Sequence, residues 1–162
     1  MQPRRQEPTS HTAPGPALKK IDITIARLRL LLADVASRER GLEDQRRVCR
    51  EQQNKLVTFC MYGDGSLDSV LAMLADVQER VTHIEATAQS LAAIRKRAEF
   101  ELESLQLTKG IEEAKVLLQQ LQARPAALTD VETQAEIARL QALINEASER
   151  AGQNIERATR RA

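Results

Sequence analysis

An apolar stripe with alternating three- and four-residue spacing runs along the first part of this chain, and a second stripe follows a Gly-Asp-Gly segment at 63–65. This spacing keeps all members of a stripe on one side of an α-helix, as in the heptad repeats of coiled coils. The first stripe contains Leu18, Ile21, Ile25, Leu28, Leu32, Val35, Glu39, Leu42, Arg46, Cys49, Gln53, Leu56 and Cys60. The second contains Leu67, Val70, Leu74, Val77, Val81, Ile84, Ala88, Leu91, Arg95, Ala98, Leu102, Leu105 and Lys109.

Folding the chain at 63–65 lays each position of one stripe opposite a position of the other. The matched pairs run from Cys60 with Leu67, through Leu42 with Ile84, to Leu18 with Lys109. Aromatic residues make up only 2% of the 162 residues and tryptophan is absent, which favours a thin seam over a thick globular core. We therefore predict an elongated all-α fold built on a long antiparallel helical hairpin, a coiled coil.

Prolines and glycines divide the chain into segments. The predicted segments are a disordered Pro-rich tail at 1–17, a coiled-coil hairpin at 18–123 with its turn at 62–66, a shorter C-terminal helix at 126–158, and a frayed end at 159–162. The first helix is expected to start near Ala17 or Leu18, and Ser66 or Asp64 is expected to cap the second. Pro125 ends the hairpin, because proline disfavours helix at the preceding residue.

Thr129 and Glu132 form a capping box that predicts the start of the C-terminal helix. Folding back after Pro125 lays this helix on 95–123, or against another subunit. The stripe expected to pack there contains Val131, Ala135, Ala138 and Ala142. A second stripe, left to pack on the start of the first helix or on another subunit, contains Ile137, Leu140, Ile144, Ala147 and Ala151.

The apolar series changes phase near Gly110, where its positions become Leu107, Ile111, Ala114, Leu118 and Leu121. We expect one continuous helix whose buried face rotates there, with a break after Lys109 as the alternative.

Polar side chains interrupt the seam of the hairpin at Glu39, Arg46, Gln53 and Arg95. Long side chains can reach water from a two-helix seam, so tolerance is one interpretation. The other is specificity, because polar seam residues select register and oligomeric state.

The hairpin tip carries more apolar surface than two helix stripes can bury. Six of its residues are candidates for partner binding: Phe59, Met61, Tyr62, Leu67, Leu71 and Met73. Met, Tyr and Phe are common contact residues in protein interfaces. The alternative is that they close the loop within the chain.

No residue pattern predicts catalysis, a metal site or a cofactor. There is no Cys-x-x-Cys motif, and His83 lies off the seam, where a solvated role is expected. Cys49 and Cys60 lie eleven residues apart on one helix, about 16 Å, so they cannot form a disulfide within it.

The formal net charge of +1 gives no reason to expect nucleic-acid binding. The N-terminal residues lack the apolar segment of a secretory signal, so we expect a cytoplasmic location. The expected function is that of a non-enzymatic structural or adaptor protein, which binds a protein partner or copies of itself through the tip and the C-terminal helix, with no small-molecule substrate. The alternative is a helical scaffold on a membrane or polymer surface; a helical enzyme or metal carrier is the least favoured reading.

Overall fold

The computed structural model describes residues 16–124 and 130–159 of the protein. Over these residues the chain forms three α-helices and no strand: α1 (Pro16–Tyr62), α2 (Leu67–Gln122) and α3 (Val131–Thr159). At a rise of 1.5 Å per residue the helices are about 70, 84 and 44 Å long. The prediction of an elongated all-α fold is confirmed. Most of the expected N-terminal tail (1–15) and of the frayed end (160–162) lies outside the described residues.

α1 and α2 pack side by side as the predicted antiparallel hairpin. The centre of their contact is a cluster of the buried residues Cys49, Val77 and Ile84, and Leu42 packs against it. The sequence pairs Leu42 with Ile84, and the structure places them in the same cluster. The core of the hairpin is one layer of side chains thick.

The ends of the hairpin follow known capping rules. α1 begins at Pro16, slightly earlier than expected, because proline needs no amide partner in the first helical turn. Ser66 caps α2, with its hydroxyl oxygen accepting a hydrogen bond from the amide of Ser69 at 3.5 Å. Of the two expected caps, the structure selects Ser66, and α1 ends at Tyr62 beside the turn.

α2 is continuous through Gly110, so the expected rotation of the buried face needs no break in the helix. The rotation reflects a change of neighbour. Lys109 still contacts Asp22 of α1, whereas Ser104, earlier in the helix, already contacts Ala151 of α3. Five residues correspond to about 140° around a helix, so α1 and α3 lie on different sides of α2.

α3 packs antiparallel along α2, but the prediction of which α3 stripe makes this contact was wrong. Leu140 is buried with Ala114 and Leu121 of α2, and Ile137 and Ile144 pack against them. The stripe that begins at Val131 is exposed instead; its members are Val131, Ala135, Ala138 and Ala142. The stripe with Ile137, Leu140 and Ile144 packs on α2 because isoleucine and leucine remove far more apolar surface from water than alanine does.

Asp130 caps the start of α3. Its carboxylate accepts hydrogen bonds from the amide of Glu132 at 3.2 Å and the hydroxyl of Thr133 at 2.5 Å. These two bonds, the Thr133 bond first, lower the pKa of Asp130 below its usual 3.8. The predicted capping box depends on Thr129, which lies outside the described residues.

Polar groups add to the contact between α2 and the end of α3. The buried Ser104 hydroxyl donates to the carbonyl oxygen of Ala151 at 3.2 Å, and Arg150 pairs with Glu103 at 3.6 Å. Asn154 is buried one helical turn further on, and its Nδ2 has no hydrogen-bond partner. A buried amide without a partner opposes folding by roughly 1–3 kcal/mol, so Asn154 lowers the stability of this contact.

Candidate functional site

The turn at the end of the hairpin is built around the ring of Phe59. The amide of Gly63 donates to the carbonyl oxygen of Phe59 at 2.9 Å. A Cβ atom added at Gly63 would lie 2.6 Å from Cδ2 of the Phe59 ring, and one added at Gly65 would also overlap the ring. Neither glycine has a positive φ, so the turn needs glycine here for space and not for backbone conformation. Part of the Phe59 ring therefore closes the turn from within the chain.

The other predicted tip residues face solvent. Their exposed fractions range from 38% for Met73 to 83% for Tyr62. Besides the Phe59 ring, which is 48% exposed, the exposed apolar side chains of the tip are Val57, Met61, Tyr62, Leu67, Leu71 and Met73. We call these six residues the tip patch; Val57 is an addition to the predicted set.

The tip patch has few charges around it. Between Lys55 and Asp76 only Asp64 and Asp68 carry a charge. Asp68 lies in the first turn of α2, where a negative charge interacts favourably with the helix dipole. A partner that covers the patch would therefore have few ionic groups to desolvate, which favours apolar contact.

Two of the predicted polar seam positions pair directly with each other across the hairpin. The guanidinium of Arg95 on α2 forms an ion pair with the carboxylate of Glu39 on α1. The amide Nε2 of Gln53 donates to Oε1 of Gln78 at 3.4 Å, also across the hairpin. Arg46 instead reaches Glu43 of its own helix at 3.5 Å. Three of the four positions thus connect α1 to α2 and one does not.

A further ion pair across the hairpin joins Lys109 to Asp22, with Nζ 2.7 Å from Oδ1. The sequence places Lys109 opposite Leu18, and Asp22 lies one helical turn beyond Leu18. The hydrogen bond and then the negative charge of Asp22 raise the pKa of Lys109 above its usual 10.5. The sequence analysis did not predict this pair. The signal was present, because Asp22 lies only four residues from Leu18, the position matched to Lys109.

A shallow groove of 730 Å³ follows one side of the hairpin. Cys49, Val48 and Ile84 contribute apolar surface to it, and Arg80 and His83 also line it. Cys49 is buried and has no hydrogen bond to His83. The groove thus contains a thiol and an imidazole but no hydrogen-bonded nucleophile and base.

Across residues 16–124 and 130–159, no group of three or more His, Cys, Asp or Glu side chains has an arrangement that could hold a metal ion. The same residues contain no helix long and apolar enough to cross a membrane. Cys49 and Cys60 are both free thiols. No protein-family model, curated protein or solved structure matches this chain.

Proposed function

We propose that this protein is a non-enzymatic structural or adaptor protein that associates with a protein partner, or with copies of itself, through its hairpin tip and its C-terminal helix. The observation that carries the proposal is the tip patch: six large apolar side chains exposed together at the end of the hairpin. Exposed apolar clusters of this kind are typical of interaction sites. As part of this proposal, we place the protein in the cytoplasm.

The shape of the molecule supports an adaptor role. The hairpin holds the tip patch at the end of α1, which is about 70 Å long. Polar contacts along the shaft, such as Glu39 with Arg95, connect the two helices away from the tip. A partner can therefore contact the tip without disturbing the seam, in the manner of helices that pair through apolar contacts.

Phe59 is a poor position for testing this proposal, because its ring also supports the turn. Met61 and Leu71 are better, since both are exposed, one on each helix of the tip. The variant Met61→Glu with Leu71→Glu should fold normally and lose association. Burying a large apolar side chain contributes roughly 1.5–3 kcal/mol, so we expect binding to weaken by about 100-fold or more.

The test is affinity capture with the full chain from the native cell extract, together with the light-scattering mass of the purified chain. The matched control is Val48→Glu with Ile94→Glu, which adds the same charges at exposed apolar positions on the shaft. The proposal predicts that a captured protein, or a self-associated mass, is lost in the tip variant and kept in the control. The same captured proteins and mass in both variants would refute the tip as the binding site.

A further inference from the structure

α1 carries a second apolar stripe on the side that faces away from α2. Ile25, whose side chain is buried against α2, is two residues from Ile23, which corresponds to about 200° around the helix. Ile23 is 54% exposed and Leu30, seven residues later, is 72% exposed. In a helix that packs on one neighbour, positions opposite the seam are normally polar. The α1 outer face consists of Lys19, Lys20, Ile23, Ala26, Arg27, Leu30 and Ala33.

The α1 outer face is basic as well as apolar. Lys19, Lys20 and Arg27 flank Ile23 and Leu30, and none of the three has an ion pair within the described part of the chain. The next acid along this side, Asp34, pairs with Arg38 of the same helix at 3.0 Å. A partner for this face should therefore be apolar and acidic.

α3 presents that combination on the side facing away from α2. Its exposed positions there include Val131, Ala135, Ala138, Ala142, Glu146 and Glu149, and we call these six residues the α3 outer face. Glu146 and Glu149 have no ion pair among the described residues, and the nearby Arg139 reaches Glu136 at 3.8 Å. Ala135 and Ala142 are seven residues apart, which is also the separation of Ile23 and Leu30. Because the two faces share this seven-residue repeat, the large side chains of α1 can pack over the small side chains of α3.

We infer that the α1 outer face binds the α3 outer face of a second copy of this chain. Pairing two α1 outer faces would bring Lys20 and Arg27 against their own copies, and pairing two α3 outer faces would bring Glu146 and Glu149 together. Like charges at an interface are unfavourable, whereas the mixed pairing joins opposite charges. This inference rests on the proposed function of the C-terminal helix and is independent of the tip.

The two faces lie on different edges of the molecule, because α1 and α3 pack on different sides of α2. Each copy then offers its α1 edge to one neighbour and its α3 edge to another. A contact between two different faces is heterologous, and unless the rotation closes a ring it produces an open chain of copies. The protein is expected to assemble laterally, with a mass that rises with concentration and falls as salt screens the charges.

Two edge variants test the inference. The α1-edge variant is Ile23→Gln with Leu30→Gln, which removes the apolar contacts without adding acids, and the α3-edge variant is Glu146→Lys with Glu149→Lys, so that the two altered edges are both basic and repel each other. All four positions are exposed, so both variants should keep the helicity of the unaltered chain by circular dichroism. Each variant alone should be monomeric by light scattering. An equimolar mixture should form a complex of twice the 18.1 kDa chain mass and no larger, because one intact edge remains on each partner.

The shaft control, Val48→Glu with Ile94→Glu, should assemble as the unaltered chain does, and so should the tip variant Met61→Glu with Leu71→Glu. Assembly lost only in the tip variant would overturn the inference and support the tip alone. A monomeric unaltered chain at every concentration, or a mixture of edge variants that stays monomeric, would also overturn it. A membrane is the other possible partner, and vesicles of anionic lipid test it. If they bind the unaltered chain but not the α1-edge variant, and the mixture of edge variants does not dimerise, then the α1 outer face binds membranes and the inference is wrong.

Discussion

Arg95 on α2 and Glu39 on α1 form an ion pair across the hairpin, although the matched register places Arg95 opposite Leu32 and Glu39 opposite Ala88. The two side chains span one heptad of the seam to meet. Neither residue is fully exposed, so each charge gives up part of its contact with water. The pair therefore connects α1 to α2, but it does not exclude a shift of the hairpin by one heptad, because one such shift would place Arg95 directly opposite Glu39.

We expect a double-mutant cycle with Glu39→Gln and Arg95→Gln to show a coupling of about 1 kcal/mol, the upper end of the range for partly exposed pairs. The measurement is the urea dependence of helicity for the unaltered chain, the two single variants and the double variant. The coupling should fall in high salt. Strictly additive effects would mean that the pair does not stabilise the hairpin.

Gly65→Ala should destabilise the turn by about 1 kcal/mol, the lower end of overpacking costs, because the exposed ring of Phe59 can move aside. In a Phe59→Ala background the same glycine substitution should have almost no effect. Urea unfolding of the four chains gives both values. An equal cost in the two backgrounds would show that the ring does not require the glycine.

Leu140→Ala and Leu143→Ala are the same substitution on neighbouring positions of α3. Leu140 is 9% exposed against α2, whereas Leu143 is 50% exposed. We expect the first to lower the free energy of unfolding by about 2–3 kcal/mol and the second by less than about 1 kcal/mol. Similar losses at both positions would contradict the orientation of α3 that the structure shows.

The cap at Asp130 predicts a pH dependence. Because its folded pKa is lowered, the carboxylate stabilises α3 at pH values above its unfolded pKa, and this stabilisation is lost as the pH falls through the lowered folded value. The thermal midpoint of the unaltered chain should exceed that of Asp130→Ala at neutral pH. The two midpoints should begin to approach each other as the pH falls below about 3.8 and should meet only below the lowered folded pKa of Asp130. A difference that persists unchanged in strong acid would show that the charge is not the cause.

Much of the architecture could be predicted because it depends on spacing. The 3,4 series and the glycines at 63–65 predict the hairpin, and Leu42 and Ile84 meet in one cluster as the register requires. The phase change near Gly110 was also visible in the sequence. Its cause was not, since only the structure shows that Lys109 faces α1 while Ser104 faces α3.

The errors arose where two patterns competed or where side chains reach beyond their own position. α3 has two stripes, and the predicted fold-back after Pro125 matched the alanine stripe to α2, although Leu140 and Ile144 can bury more area. The ion pair of Glu39 with Arg95 depends on how far the two side chains reach, and matching positions by register does not take side-chain length into account. The packing of the Phe59 ring on the turn depends on three-dimensional placement, and no spacing rule encodes it.

The measurement that tests the central claim most directly is site-specific photo-crosslinking from the tip, in native cells that express the full chain. A photoreactive phenylalanine analogue replaces Tyr62, the most exposed residue of the tip patch, and in a control chain it replaces Arg47 on the shaft, away from the α1 outer face. Association through the tip predicts adducts of defined mass from position 62 and none from position 47. The same adducts from both positions, or none from either, would contradict it.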